Sequence, residues 1–145
     1  MVLAIVIAAI AAYVLGFLWY GPLFGKQWMA MMKLNPKDKD KGKQKGMWKT
    51  YLMSFVASLV TAGVLSFFVG FLVDVTGATP VLWNALFGAL VGTLLWLGFV
   101  ATKSLGSVFW EGRSWKLYLF NTVYDLVSLV VMGAIVGGLS AFTWA

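Results

Sequence analysis

The stretch LYLFNTVYDLVSLVVMGAIVGGL, Leu117 to Leu139, is long and apolar enough to cross a bilayer, yet it carries a carboxylate, Asp125, near its middle. A helix rises about 1.5 Å per residue, so about 20 apolar residues match a hydrocarbon core of about 30 Å. Three more such runs precede it: Val2 to Tyr20, Tyr51 to Val73 and Val81 to Thr102. Asp125 is the one charged residue inside the four. With 61% hydrophobic and 11% charged residues over 145 positions, the chain cannot be arranged around a soluble core without an apolar surface.

The apolar runs are continuous rather than alternating, which excludes a β-barrel. In lipid every backbone group must be bonded internally, which favours helices, and Gly is common in membrane helices. The expected fold is therefore an all-α membrane protein, a single domain of four transmembrane helices over 1–145 with a basic loop at 25–49. The first run, MVLAIVIAAIAAYV, has no Lys or Arg ahead of its apolar core, unlike a signal peptide. Its Ala9-Ile10-Ala11 triplet reads as helix packing rather than a cleavage site, so the run is kept as the first span.

Lys and Arg near span ends are retained on the cytoplasmic side. Lys26, Lys33, Lys37, Lys39, Lys41, Lys43, Lys45 and Lys49 lie between spans one and two, and Lys103, Arg113 and Lys116 between spans three and four. The turn DVTGATP and both chain ends carry none. This predicts a cytoplasmic lysine loop with both ends outside, in a bacterial inner membrane. Trp and Tyr settle at headgroup depth, so Trp19, Tyr20, Trp28, Trp48, Tyr51, Trp110, Trp115 and Tyr118 are expected in the cytoplasmic belt, with Trp83 and Trp144 opposite.

The run NPKDKDKGKQKGMWK has neither interleaved aromatics nor a reading helix, so no nucleic-acid partner is expected despite the net charge of +6. Topology and anionic headgroups explain it, at about 1 kcal/mol per Lys near the surface. Cys and His are absent, which removes disulfides, thiolate nucleophiles, imidazole bases and the commonest metal ligands. Two of the five carboxylates sit in the lysine loop, so neither a metal nor a cofactor is expected. Without a phosphate loop or nucleophile elbow, an enzyme would have to work through Asp125, Glu111, Tyr and Lys, and no enzyme is expected.

Counted from Lys116, Asp125 lies about 13 Å deep, near the midplane. An unpaired charge there costs at least about 2.5 kcal/mol, so the side chain must face protein or water, or carry a proton. Residues three, four and seven apart share a helix face, which places Tyr118, Asn121, Asp125, Ser128 and Met132 on one stripe. In the third span Asn84, Gly88, Val91, Gly92, Leu95, Gly98 and Thr102 form another, and the second offers Ser54, Ser58 and Thr61. Small residues and hydroxyls there are explained by helix packing. Packing gives no reason for Asp125, whose default reading is functional.

YLMSFVASLV (Tyr51 to Val60) and YLFNTVYDLV (Tyr118 to Val127) share Tyr, Leu, Val, Leu and Val in register and pair Ser58 with Asp125. Two parallel hairpins related by an axis along the membrane normal would account for this, an arrangement known among transporters.

GFLWYGPLFGKQWM (Gly16 to Met29), GFVATKSLGSVFWEGRSWKLYLFNTVYDLV (Gly98 to Val127) and the following VVMGAIVGG resemble the small bacterial membrane family catalogued as domain of unknown function 1761. The resemblance implies a four-helix membrane protein with no established biochemical role. It also implies a His after the Tyr of the fourth span, where this chain has Asp125, so an ionisable position is kept with its chemistry changed.

Three functions compete. The first is a transporter or channel in which Asp125, with Asn121, Ser128 and Tyr118, binds a proton or ion. The second is an accessory subunit whose polar stripe meets another chain of a larger membrane complex. The third, least favoured, is a lipid-modifying enzyme. The pairs Gly88/Gly92 and Gly133/Gly137 predict a homo-oligomer, with a dimer favoured. The loop charges Lys103, Glu111 and Arg113 read as topology signals. Cysteines introduced singly at Lys41 and Thr76 should label from opposite sides, the first from the cytoplasm; labelling of both from outside would end the four-span reading.

Overall fold

The computed structural model contains four helical stretches long and apolar enough to cross a membrane: Val2–Leu23, Trp48–Thr76, Val81–Phe109 and Trp115–Ser140. The structure describes residues 1–33, 47–77 and 80–142; most of the lysine loop (34–46, Lys41 included) and Trp144 lie outside these. The chain is an all-α, multi-pass membrane protein, and no strand occurs among the described residues. Large side chains such as Phe67, Phe71, Leu82 and Phe99 are left on the outside, where hydrocarbon rather than water receives them.

The elements are α1 (Val2–Leu18), a π-helical turn (Trp19–Leu23), α2 (Gly25–Met31), α3 (Met47–Thr76), α4 (Val81–Leu95), a second π-helical turn (Trp96–Ala101), α5 (Thr102–Ser104), α6 (Gly106–Phe109) and α7 (Trp115–Ser140). Local chemistry sets their ends. Pro22 has no N–H to donate, and Gly21 leaves the helical region at φ −108, ψ −105. The first span therefore closes in a wide turn, with the Phe24 N–H donating to the Trp19 carbonyl at 3.1 Å. Gly77 (φ +82) and Gly112 (φ +66) take the left-handed conformation that Gly tolerates, one after α3 and one before α7. Ser114 caps α7, accepting from the Leu117 N–H at 3.3 Å.

The first two spans are antiparallel, as shown by Tyr13 against Phe55 and Met1 against Ser66, and so are the last two, with Asn84 against Gly137 and Gly92 against Leu129. The last helix, α7, is the hub, packing on α1, α3 and α4, while α3 and α4 touch only sparsely. The core between α1, α3 and α7 is built from Ala8, Ala9 and Ala12 opposite Ala62, Leu65 and Val69, with Met132 and Val136.

The tightest seam is α4 against α7. A Cβ added at Gly88 would collide with the Gly133 carbonyl, one at Gly92 with the Leu129 carbonyl, and one at Gly137 with the Asn84 carbonyl. Both glycine pairs thus face each other within one chain. The dimer expected from them loses that basis.

Two further expectations change. Asn84, Gly88, Val91 and Gly92 are buried as a face of α4, but Gly98 and Thr102 are exposed and Ala101 is buried instead. A π-helical turn holds more residues than an α-turn, so the turn at Trp96–Ala101 rotates everything after it off the predicted stripe. Trp48, Trp110 and Trp115 are exposed at the basic end and Trp83 at the other, but Trp19 and Tyr20 turn inward. They stack with Phe24, Phe120 and Tyr124, and the Trp19 Nε1 is buried without a hydrogen-bond partner.

Gly88→Val or Gly133→Val should force α4 and α7 apart and cost at least about 1–3 kcal/mol, the range for overpacking a close-packed contact. Gly63→Ala, where an added Cβ meets nothing within 4 Å, should be near neutral. Thermal unfolding of the purified variants in detergent checks both.

Candidate functional site

A cavity of about 300 Å³ lies between α1, α3, the third span and α7. Ser58 and Thr61 of α3 face it, with Tyr124, Asp125 and Ser128 of α7; Ala12, Ala57, Val100, Leu129 and Met132 supply the apolar remainder. Ala57 and Thr61 are exposed and mark its mouth, Asp125 is partly buried, and Ser128 is buried. That volume accommodates several waters or a small solute.

Among the described residues, no cationic side chain pairs with Asp125 in this wall. The ion pair among the described residues, Arg113 Nε to Glu111 Oε2 at 2.8 Å, is half-exposed in the loop before α7, where such a pair is worth about 1 kcal/mol or less. Lys103 is exposed on α5. The rings of Tyr124, which lines the cavity, and Tyr20 meet edge to face at 5.0 Å. No cluster of three or more metal-ligating side chains occurs among the described residues.

The sequence-derived residues divide into three groups. Asp125, Ser128, Ser58 and Thr61 meet at the cavity, drawn from two helices far apart in the chain. Tyr118 and Asn121 belong to the bracing above it: the Tyr118 hydroxyl donates to the Ala101 carbonyl at 2.9 Å, and Asn121 Oδ1 accepts from the Tyr20 hydroxyl at 3.1 Å. The remainder lie elsewhere. Asn84, Gly88 and Gly92 form the α4–α7 seam. Ser54 is exposed, and its carbonyl takes the Ser58 hydroxyl. Thr102 bonds back to Gly98, and Glu111 and Arg113 pair with each other.

Sequence reasoning missed Tyr124, Tyr20 and Ala57. Tyr124 is adjacent to Asp125 and four residues before Ser128, and Ala57 is four before Thr61, so the helical spacing that found the hydroxyls could have found both. Tyr20 had no such signal, because its inward turn follows from the π-helical turn.

Both π-helical turns begin with Trp, and both are pinned to α7. Trp96 Nε1 donates to the Thr122 carbonyl at 2.6 Å, and Tyr118 reaches the other end of the same turn at Ala101. Tyr20 holds the first turn through Asn121, with Trp19 stacked on Phe120. The half of α7 leading to Asp125 is thus gripped on two sides. Trp96→Phe keeps a ring but loses the donor, and should cost about 1 kcal/mol. A lowered melting temperature with unchanged helix content by circular dichroism is the expected result.

Comparison with curated proteins and with solved structures gives no match. Comparison with known families matches residues 3–137, nearly the whole chain, to the family described as a protein of unknown function, DUF1761. This span takes in all of the second and third membrane helices, nearly all of the first and fourth, and every residue that lines the cavity, and the chain is therefore a member of the DUF1761 family.

Proposed function

We propose that this protein is a small transporter- or channel-like membrane protein in which Asp125 takes up and releases a proton or small cation within the cavity between α3, the third span and α7. One observation carries the reading: the intramembrane carboxylate lines an open, partly hydroxylated cavity rather than a sealed ion pair. A charge in hydrocarbon costs several kcal/mol unless protein or water solvates it, and a cavity wide enough for water supplies that solvation only where it is needed.

In this reading the basic end faces the cytoplasm, in a bacterial inner membrane with both chain ends outside. The six basic residues among the described ones, Lys26, Lys33, Lys49, Lys103, Arg113 and Lys116, all belong to that end. The lysine loop adds attraction for anionic headgroups. The chemistry is binding and exchange rather than catalysis, since no His or Cys is available. The two Trp-led π-helical turns, one in each antiparallel hairpin, support the idea of two parallel repeats. A homo-oligomer in this reading would form through a surface other than the glycine pairs, which are engaged within the chain.

The exposure of Ala57 and Thr61 at the mouth favours one second reading. A helix of another membrane chain could close the cavity there, making this an accessory subunit whose partner contacts Asp125.

Reconstitution in liposomes under an imposed pH gradient separates the two. Proton-linked flux should be measurable with the parent protein and fall at least tenfold in Asp125→Asn, with elution profile and helix content unchanged. Flux of equal size in both forms would overturn the role of Asp125. Absence of flux, with a stable partner co-purifying from native membranes and lost in Asp125→Asn, would select the accessory reading.

A further inference from the structure

The cavity at Asp125 has a one-sided chemistry. Ser58 and Thr61 return their hydroxyl protons to their own helix, donating to the carbonyls of Ser54 and Ala57 at 3.0 Å each. A hydroxyl has one proton and two lone pairs, so these two turn lone pairs toward the cavity. Ser128 directs its proton to Met132 Sδ at 3.8 Å, a weak acceptor. With the Asp125 carboxylate the acceptors in the wall outnumber the donors: no side chain lining it carries an N–H, and the Tyr124 hydroxyl is the O–H donor that no bond within a helix takes up. An anion would be repelled there, whereas a cation bearing N–H donors meets partners for both its charge and its protons.

Size and apolar surface narrow the class. Five of the ten lining residues are Ala, Val, Leu or Met. A hard metal cation prefers oxygens on all sides, but here the oxygens come from α3 and α7 while Ala12 and Val100 present only hydrocarbon. A volume of about 300 Å³ also exceeds what a bare ion fills and stands at the small end of organic-ligand pockets. Tyr124 adds an aromatic ring, whose face attracts cations.

We propose that the site takes a small protonated alkylamine, its ammonium group on Asp125 and the lone pairs of Ser58 and Thr61, its hydrocarbon against Ala12, Val100 and Met132. The inference rests on the cavity being the functional site and adds the ligand to it. Binding leaves a carboxylate–ammonium pair, and where Asp125 carries a proton beforehand the carboxylic acid gives it to water as the ammonium arrives. In that case one positive charge enters as one leaves.

The test uses the full chain in nanodiscs, with ethylammonium, butylammonium, sodium and acetate as probes, read by calorimetry and by proton release in weakly buffered solution. Both amines should bind, each releasing up to one proton, and sodium and acetate should bind at least tenfold more weakly. Asp125→Asn should lose amine binding and proton release. Ala57→Phe, which fills the mouth from an exposed position while leaving the carboxylate in place, should weaken butylammonium at least tenfold, and it decides the matter if Asp125→Asn fails to fold. Sodium binding as tight as the amines, amine binding that survives Asp125→Asn, or insensitivity to Ala57→Phe would each overturn the inference. Proton flux without amine binding overturns it while leaving the transporter reading intact. Amine binding without flux keeps the ligand and removes the transporter reading.

Discussion

The seam between α4 and α7 is the contact on which the rest of the structure depends. In lipid no hydrophobic force drives helices together, because the tails are as apolar as Leu, so close van der Waals approach decides which helices pair. Gly88 against Gly133, Gly92 against the Leu129 carbonyl and Gly137 against the Asn84 carbonyl bring the two backbones into direct contact. Any side chain larger than a hydrogen would separate them. The seam fixes the rotation of α7 about its own axis. With Gly133 and Gly137 turned to α4, the neighbouring face, bearing Asp125, Ser128 and Met132, is presented to α1 and α3.

At the basic end a different device takes over. The first and third spans both widen into π-helical turns, at Trp19–Leu23 and Trp96–Ala101. Such turns are strained insertions that recur at functional sites, and here each is tied to α7 by a side chain. Trp96 and Tyr118 bond across to the second turn, and Tyr20 bonds from the first to Asn121. The aromatic residues that would otherwise have anchored headgroups, Trp19 and Tyr20, are drawn inside by the first turn. They stand between the basic end and Asp125.

Between the seam and these turns, α3 and α4 touch only sparsely, and the cavity lies between α1, α3, the third span and α7. Its polar side chains are inexpensive to keep there, because Ser58 and Thr61 satisfy their protons within α3. The carboxylate is the exception, since no such local bond compensates it, and this singles it out.

Much of the fold could be read from the chain alone. Four apolar runs, with Asp125 the one charge inside them, require four membrane helices, since hydrocarbon accepts no unbonded backbone. Helical periodicity also found Asp125, Ser128, Ser58 and Thr61, because side chains three or four apart share a face whatever the neighbours are. Periodicity failed where the helix stopped being an α-helix: the turn at Trp96–Ala101 carried Thr102 outward and Ala101 inward, and the turn at Trp19–Leu23 carried Tyr20 in beside Tyr124. It was silent on partners. Gly88-x-x-x-Gly92 announces a close contact, but its pattern is the same whether the facing helix belongs to another chain or, as here, is α7. Local spacing determines which residues share a face; only three-dimensional packing decides what that face meets, because the pairing depends on helix rotations that no single helix encodes.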